Sequence, residues 1–320
     1  MKQQKAYMSF TVTLTFVLLF SYLASSVESH EVEVEDEREF DYVQGSQKGP
    51  AHWGEIKKEW GICKTGKLQS PIDMANNRVK LIKEPGDFKR NYKACNSIIK
   101  NRGHDISVGI FAITFILILA GVFLCIFYNE FMGKTKGGVI WMQLQWEEDK
   151  AGTVEIDGSQ YFLQQCHWHS PSEHTINSKG YKMEMHMVHL STDPKVKNNI
   201  AVVGLLYEIG PPDAFLTKLL TDIKSLTDQM PEKSVGMINP TEIKMDGKEY
   251  YRYLGSLTVP PCTEGVIWII NKKISTVSED QVKALRDAVH DYAEKNARPI
   301  QPLNEREIKL YGIVGPSAEL

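Results

Sequence analysis

Two short runs constrain this chain more than anything else in it. In Gln165-Cys166-His167-Trp168-His169, a β-strand would place Gln165, His167 and His169 on one face, because strand side chains alternate with period two. A second strand-like run, Met183 to His189, carries His186 with Glu184 on the same face. Set side by side in a sheet, the two runs bring three imidazoles to one point and leave a fourth tetrahedral position open for water, the arrangement of a catalytic zinc (Zn2+) site. Four protein ligands would close such a site. An isolated His-x-His is most often two half-buried histidines that happen to be near each other. Gln165 and Glu184 argue for more, since each stands two residues from a candidate ligand on the ligand face. There it can accept the hydrogen bond that a metal-bound imidazole makes from its other nitrogen.

The rest of the chain supplies the sheet. Short runs rich in Val, Ile, Tyr and Phe are separated by Gly, Pro, Asn and Asp. Thr153 to Ile156 and Tyr161 to Gln165 flank Asp157-Gly158, a hairpin turn signal. Helices are a minority. Ser278 with Gln281 forms a capping box, followed by Val282, Leu285, Val289 and Tyr292 on one face. A second helix is predicted to start near Asp213 and run through Phe215, Leu219 and Ile223. The expected fold is mainly β (α+β): a single domain around a large twisted, mostly antiparallel sheet with short peripheral helices. With 320 residues, 42% of them hydrophobic, the chain can bury one substantial core and still carry extra segments. A net charge of -3 with scattered Lys and Arg gives no basic stripe, so no nucleic acid is expected as a partner, and no obligate protein partner is evident.

Lys2 and Lys5, an apolar run from Phe10 to Leu23 and the small residues Ala24 to Ser26 read as a signal peptide over residues 1–26. Residues 27–41, dense in Glu and Asp, read as a solvated acidic arm; the globular domain is expected over 42–313, with a tail at 314–320. Export implies an oxidising compartment. Of Cys63, Cys95, Cys125, Cys166 and Cys262, at least one stays unpaired within the chain, and composition does not choose the pair. The sequence holds no Asn-x-Ser/Thr site with an allowed middle residue.

Further motifs surround these runs. They are Ala51-His52-Trp53-Gly54, Gln69-Ser70-Pro71-Ile72-Asp73, Asn101-Arg102-Gly103-His104, Ser172-Glu173-His174-Thr175, Gly255 to Cys262 and Arg298 to Asn304. With His167-Trp168-His169 and Glu184 to His189, and in this order, they make the chain resemble the α-class carbonic anhydrases, the plant members most of all. The resemblance implies zinc at the bottom of a conical cleft. It also implies reversible hydration of carbon dioxide to bicarbonate and a proton by a zinc-bound hydroxide, with His167, His169 and His186 as ligands. It assigns Thr258 to orient the hydroxide, Glu173 to orient Thr258, and His104 to shuttle the proton. Val188, Val202, Leu257 and Trp268 become the apolar wall for carbon dioxide, and Cys63 and Cys262 a disulfide. Cys166 falls on the face opposite the ligands, as a buried thiol. Two positions depart from the family pattern: Glu55 follows Trp53-Gly54 where many members carry Tyr, and Val259 replaces the second Thr of a Thr-Thr pair. The alternatives are a catalytically weak or inactive binding or storage relative, or a product disrupted or membrane-tethered by the segment described next. The expected location is the secretory pathway, ending in the extracellular space or apoplast, or in a plastid reached by that route.

One segment interrupts the pattern. Ile110 to Tyr128 is 19 residues without a charge, long enough to cross a bilayer as a helix. Joining Val108 to Gln145 restores an alternating strand, which makes Gly109 to Leu144, give or take a residue at each edge, a 36-residue insertion. A bilayer crossing there would place Cys63 and His104 on one side and the three candidate ligands on the other. The segment therefore reads as a translated intron or gene-model artefact, or else as an apolar excursion beside the sheet, with membrane contact only if it is real and inserted.

Overall fold

Asp157 and Gly158 both hold positive φ, 50° and 77°, as a two-residue type I′ turn requires. They close the predicted hairpin between strands Gly152–Ile156 and Ser159–His169. The structure, a computed structural model, describes residues 39–83, 86, 88–101, 142–227, 230–289 and 295–312. The signal-peptide segment, most of the acidic arm, His104, Cys125 and the apolar run lie outside the described residues.

In chain order the strands are β1 (Asp73–Met74), β2 (Val79–Ile82), β3 (Lys89–Tyr92), β4 (Cys95–Asn101), β5 (Met142–Trp146), β6 (Gly152–Ile156), β7 (Ser159–His169) and β8 (Thr175–Ile176). They continue as β9 (Met183–Leu190), β10 (Ile200–Ile209), β11 (Glu232–Ile238), β12 (Tyr250–Ser256), β13 (Glu264–Asn271), β14 (Ser275–Val277) and β15 (Ile308–Tyr311). All but β1 and β8 join one 13-stranded sheet whose main path is β11-β4-β5-β7-β9-β10-β13-β12-β15-β2. Its pairings are antiparallel except β10 with β13 and β14, and β15 with β2, which is the mainly β, mostly antiparallel fold expected.

The helices are α1 (Trp53–Ile56), α2 (Ile62–Thr65), α3 (Ala214–Ser225) and α4 (Glu279–Val289). Asp213 caps α3 by accepting from Leu216 N at 2.8 Å. The capping box of α4 forms reciprocally, Gln281 N donating to Ser278 Oγ and Ser278 N to Gln281 Oε1, each at 3.2 Å. The same Gln281 accepts from Asp213 N and donates to Asp213 O and Thr217 Oγ1, so one side chain ties together the starts of both helices. Phe215, Leu219, Ile223 and Leu285 are buried in the core that these helices share with the sheet.

That core lies on one face of the central strands. Met183, Met185 and Met187 of β9 project into it with Cys166 and Leu144. Glu184, His186 and Val188 project from the other face and are buried as well. Met alternates with Glu184 and His186 from Met183 to Met187, and the alternation reverses only at Val188 and His189, although both faces of β9 are buried.

The structure moves two boundaries. Phe40, in the stretch assigned to the acidic arm, is 1% exposed and meets Trp53 edge to face with ring centroids 5.1 Å apart. Trp53 Nε1 donates to Asp41 O and Lys48 O, so the packed unit begins at least two residues before Tyr42. Met142, Gln143 and Leu144, assigned to the insertion, are the first three residues of β5 and are buried. They take the places that Ile106, Ser107 and Val108 fill when Val108 is joined to Gln145. Removing 36 residues, an even number, leaves strand parity unchanged, so alternation alone could not choose between the two triplets.

Asn101 and Met142 are cross-strand partners in β4 and β5. The intervening chain therefore leaves and rejoins one sheet at one place, and its flanks cannot lie on opposite sides of a bilayer. No helix among the described residues is long and apolar enough to cross a membrane.

On the core side of β9, the fully buried His189 accepts from the Tyr92 hydroxyl at Nε2 (2.9 Å) and donates from Nδ1 to Ala201 O (3.3 Å). Burial lowers its pKa from the ordinary 6.5 to about 4. The native state then stays neutral while the unfolded chain takes up a proton as pH falls below about 6.5, so stability drops from there to about pH 4 and no further. The loss is worth about 3 kcal/mol. In urea unfolding of chelator-treated protein, a His189→Gln variant should lose about 3 kcal/mol less than the parent across that interval. Equal losses would exclude His189 as the responsive group.

Candidate metal centre

Register brings the two histidine runs together. His167 on β7 pairs with His186 on β9, and His169 shares the His167 face two residues on. The ring centroids of the three lie 4.6 to 5.2 Å apart, and one nitrogen from each falls within 4.8 Å of the others. All three residues are buried, with exposures of 6%, 0% and 1%.

The remaining nitrogens are committed elsewhere. His167 Nδ1 bonds Gln165 Oε1 at 2.9 Å, His169 Nδ1 bonds Asn296 O at 2.7 Å, and His186 Nε2 bonds Glu184 Oε1 at 2.8 Å. An acceptor at each of these atoms fixes the tautomer, leaving His167 Nε2, His169 Nε2 and His186 Nδ1 as lone-pair donors toward the centre. Burial lowers the pKa of His186, although Glu184 beside it works the other way. A neutral imidazole is the form that binds a cation.

Glu184 is the hub of the supporting shell. Its Oε2 accepts from Glu173 N and His174 N, and its Oε1 from His174 Nδ1 and His186 Nε2. Burial opposes its ionisation, but His174 and His186 outweigh that and hold the carboxyl well below the usual carboxylate range. His174, Glu184 and His186 also meet the distance criterion for a metal cluster; with both carboxylate oxygens already accepting two donors each, they act as support for the first cluster and not as a second centre. From His174 the network continues through Tyr253 OH to Ser70 Oγ, each step 2.7 Å, and on to Ser256 N, two residues before Thr258.

Glu173 Oε1 accepts from Arg298 N at 2.9 Å. Its Oε2 is buried and accepts no hydrogen bond, lying 3.7 Å from His169 Nε2. Thr258 is buried too, but its hydroxyl does not donate to Glu173 here. Three imidazole nitrogens facing inward, with a carboxylate oxygen that accepts no hydrogen bond beside them, are a donor set that fits a divalent cation such as zinc.

Three of the four apolar residues assigned to the substrate wall share the ligand face of the sheet. Val188, Val202 and Trp268 are lateral neighbours on β9, β10 and β13, all on the ligand face, and the Trp268 ring lies 4.8 Å from that of His186. Leu257 is buried next to Thr258. Cys63 and Cys262 form the disulfide that the resemblance implied, while Cys95 and Cys166 are buried free thiols. Glu55 pairs with His52 and Lys64 at the surface, and Val259 packs with Trp53 and the disulfide.

Sequence reasoning missed Asn296 and Arg298. The first acts on His169 through a backbone carbonyl 127 residues away, so no side-chain signal could have revealed it. Arg298, within a motif noted in the sequence, has a buried guanidinium that donates to Gln69 Oε1, Ser70 O and Cys63 O. His174 was visible only as part of a motif.

Fold and site together define a mainly β protein with a buried three-histidine cluster, positioned to hold a metal ion, on a single large sheet. The family model of eukaryotic-type carbonic anhydrases matches residues 130–312. Carbonic anhydrase Nec1 of Nesocodon mauritianus is 47% identical over 94% of this chain and 95% of its own length. Alpha carbonic anhydrase 7 of Arabidopsis thaliana is 44% identical over 92% and 94%. Among solved structures, a dioscorin in complex with ascorbate superposes with a TM-score of 0.71 at 34% identity, covering 86% of this chain and 98% of that one. The Thermovibrio ammonificans α-carbonic anhydrase gives 0.61 at 30%, covering 84% and 98%. The chain belongs to the eukaryotic-type, or α-class, carbonic anhydrase family.

Proposed function

We propose that this chain hydrates carbon dioxide reversibly to bicarbonate and a proton at a zinc ion held by His167, His169 and His186. The observation that carries the reading is the commitment of all three outer ring nitrogens to Gln165, Asn296 and Glu184, which aims the inner three at one point. When bound, zinc supplies the Lewis acidity that ionises water near neutral pH. The protein's own residues do the rest. Glu173 takes the role of accepting a hydrogen from the Thr258 hydroxyl through its unbonded Oε2, which would leave the Thr258 oxygen as an acceptor and so select the orientation of the nucleophile. Val188, Val202, Leu257 and Trp268 give carbon dioxide an apolar surface, and they compete poorly for polar ligands. His104, outside the described residues, takes the role of passing the proton to solvent, suited to a side chain that titrates near neutrality.

The Cys63–Cys262 bridge fits an oxidising compartment, which supports export through the secretory pathway. A second reading is a non-catalytic binding role on the same scaffold, favoured by the likeness to a dioscorin solved with ascorbate. Zinc content and carbon dioxide hydration, measured on the full chain and on a version lacking residues 109–144, separate the possibilities. Stoichiometric zinc with hydration in both proteins supports the enzyme. Zinc without hydration in either supports the binding role, and activity in the shortened version alone shows that the inserted segment disables the site.

A further inference from the structure

The ligand face of the sheet carries a row of side chains that the reaction above leaves unused. Glu232 on β11 stands opposite Lys100 on β4, Lys100 opposite Gln143 on β5, and Gln143 opposite His167, which itself faces His186. Directly opposed residues of antiparallel strands project to one face. The row therefore runs from the sheet edge to the three histidines on the side where their inner nitrogens meet. Strands lie about 4.8 Å apart, so Lys100 stands roughly 10 Å from His167 along the sheet.

Lys100 Nζ lies 3.4 Å from Glu232 Oε2, the lysine side chain 14% exposed and the glutamate 55%. Solvent on the carboxylate side screens that charge more than the lysine's. Among the described residues, Lys100 is the one fixed charge on this face of β4 and β5, whose other members there are Asn96, Ile98, Gln143 and Gln145. Between Lys100 and His167 stands only the uncharged amide Gln143, and Glu232 lies on the far side of the lysine, so the field of Lys100 reaches the centre without an intervening counter-charge.

We propose that Lys100, anchored by Glu232, draws small monovalent anions to the metal centre, with the product bicarbonate among them. This rests on the three histidines holding a metal. A unit charge roughly 10 to 15 Å away, at an effective dielectric constant of about 40, changes anion affinity by about two- to fourfold.

The test is thiocyanate titration of the cobalt-substituted full chain, followed by visible absorption. Lys100→Met should weaken thiocyanate binding by about two- to fourfold, Lys100→Arg should preserve it, and Glu232→Gln should tighten it. Cobalt stoichiometry and the far-ultraviolet circular dichroism should match the parent in all three. If cobalt binds and Lys100→Met leaves the thiocyanate affinity unchanged, this inference fails alone. If the parent takes up no cobalt, the metal reading fails and this inference with it.

Discussion

A His186→Ala chain is expected to retain no stoichiometric zinc after dialysis against a weak chelator, while its far-ultraviolet circular dichroism stays that of the parent. Zinc sites with four protein ligands bind with about 10 to 16 kcal/mol, so one ligand is worth roughly 3 kcal/mol, or about a hundredfold in affinity. Hydration activity falls with the metal. The sheet survives because β9 keeps its pairings with β7 and β10 along its whole length, and the Met183, Met185 and Met187 face is untouched. Glu184→Gln is the graded companion. It leaves every ligand in place but replaces a carboxylate that accepts four hydrogen bonds, and loss of such support weakens metal binding by about 10- to 100-fold. Full zinc content in His186→Ala, measured by atomic absorption, would refute the ligand set.

The second large effect concerns the disulfide. Replacing both Cys63 and Cys262 by Ser should lower unfolding free energy by about 3 to 5 kcal/mol, read as a shift of the urea midpoint. The bridge closes a sequence separation of 199 residues, near the upper end of what restriction of the unfolded chain can supply. It is also tied to the centre. Arg298 donates to Cys63 O and, through its own N, to Glu173, while Gln69 donates to Cys262 O. Hydration should therefore fall in the double variant even at urea concentrations where it remains folded. An unchanged midpoint would show that the surrounding hydrogen bonds alone hold the loop.

Much of this site was legible before any coordinates. The His-x-His run forces two imidazoles to one face in any strand, and Gln165 and Glu184 sit at the spacing that turns them toward those rings. The Asp157-Gly158 hairpin, the Ser278 and Gln281 capping box and the Asp213 helix start are local signals with local causes, and each formed as read. The start of the packed unit was misplaced because the acidic residues around Phe40 mask one aromatic ring, whose partners Trp53 and Trp60 lie further along the chain. The start of β5 was misplaced for a different reason. Ile106 to Val108 and Met142 to Leu144 offer the same apolar-polar-apolar order, and only the pairing of Asn101 with Met142 chooses between them.

The sequence by itself determined the donor set, its supporting glutamine and glutamate, and the family to which the chain belongs, because these depend on residue types at fixed short spacings. Only the tertiary structure decided which nitrogen of each ring faces inward. That choice is made by a carbonyl at Asn296, an amide carbonyl at Gln165 and the carboxylate of Glu184. Hydrogen bonds between groups distant along the chain, above all those of backbone atoms that every residue carries, leave no mark in the order of the side chains.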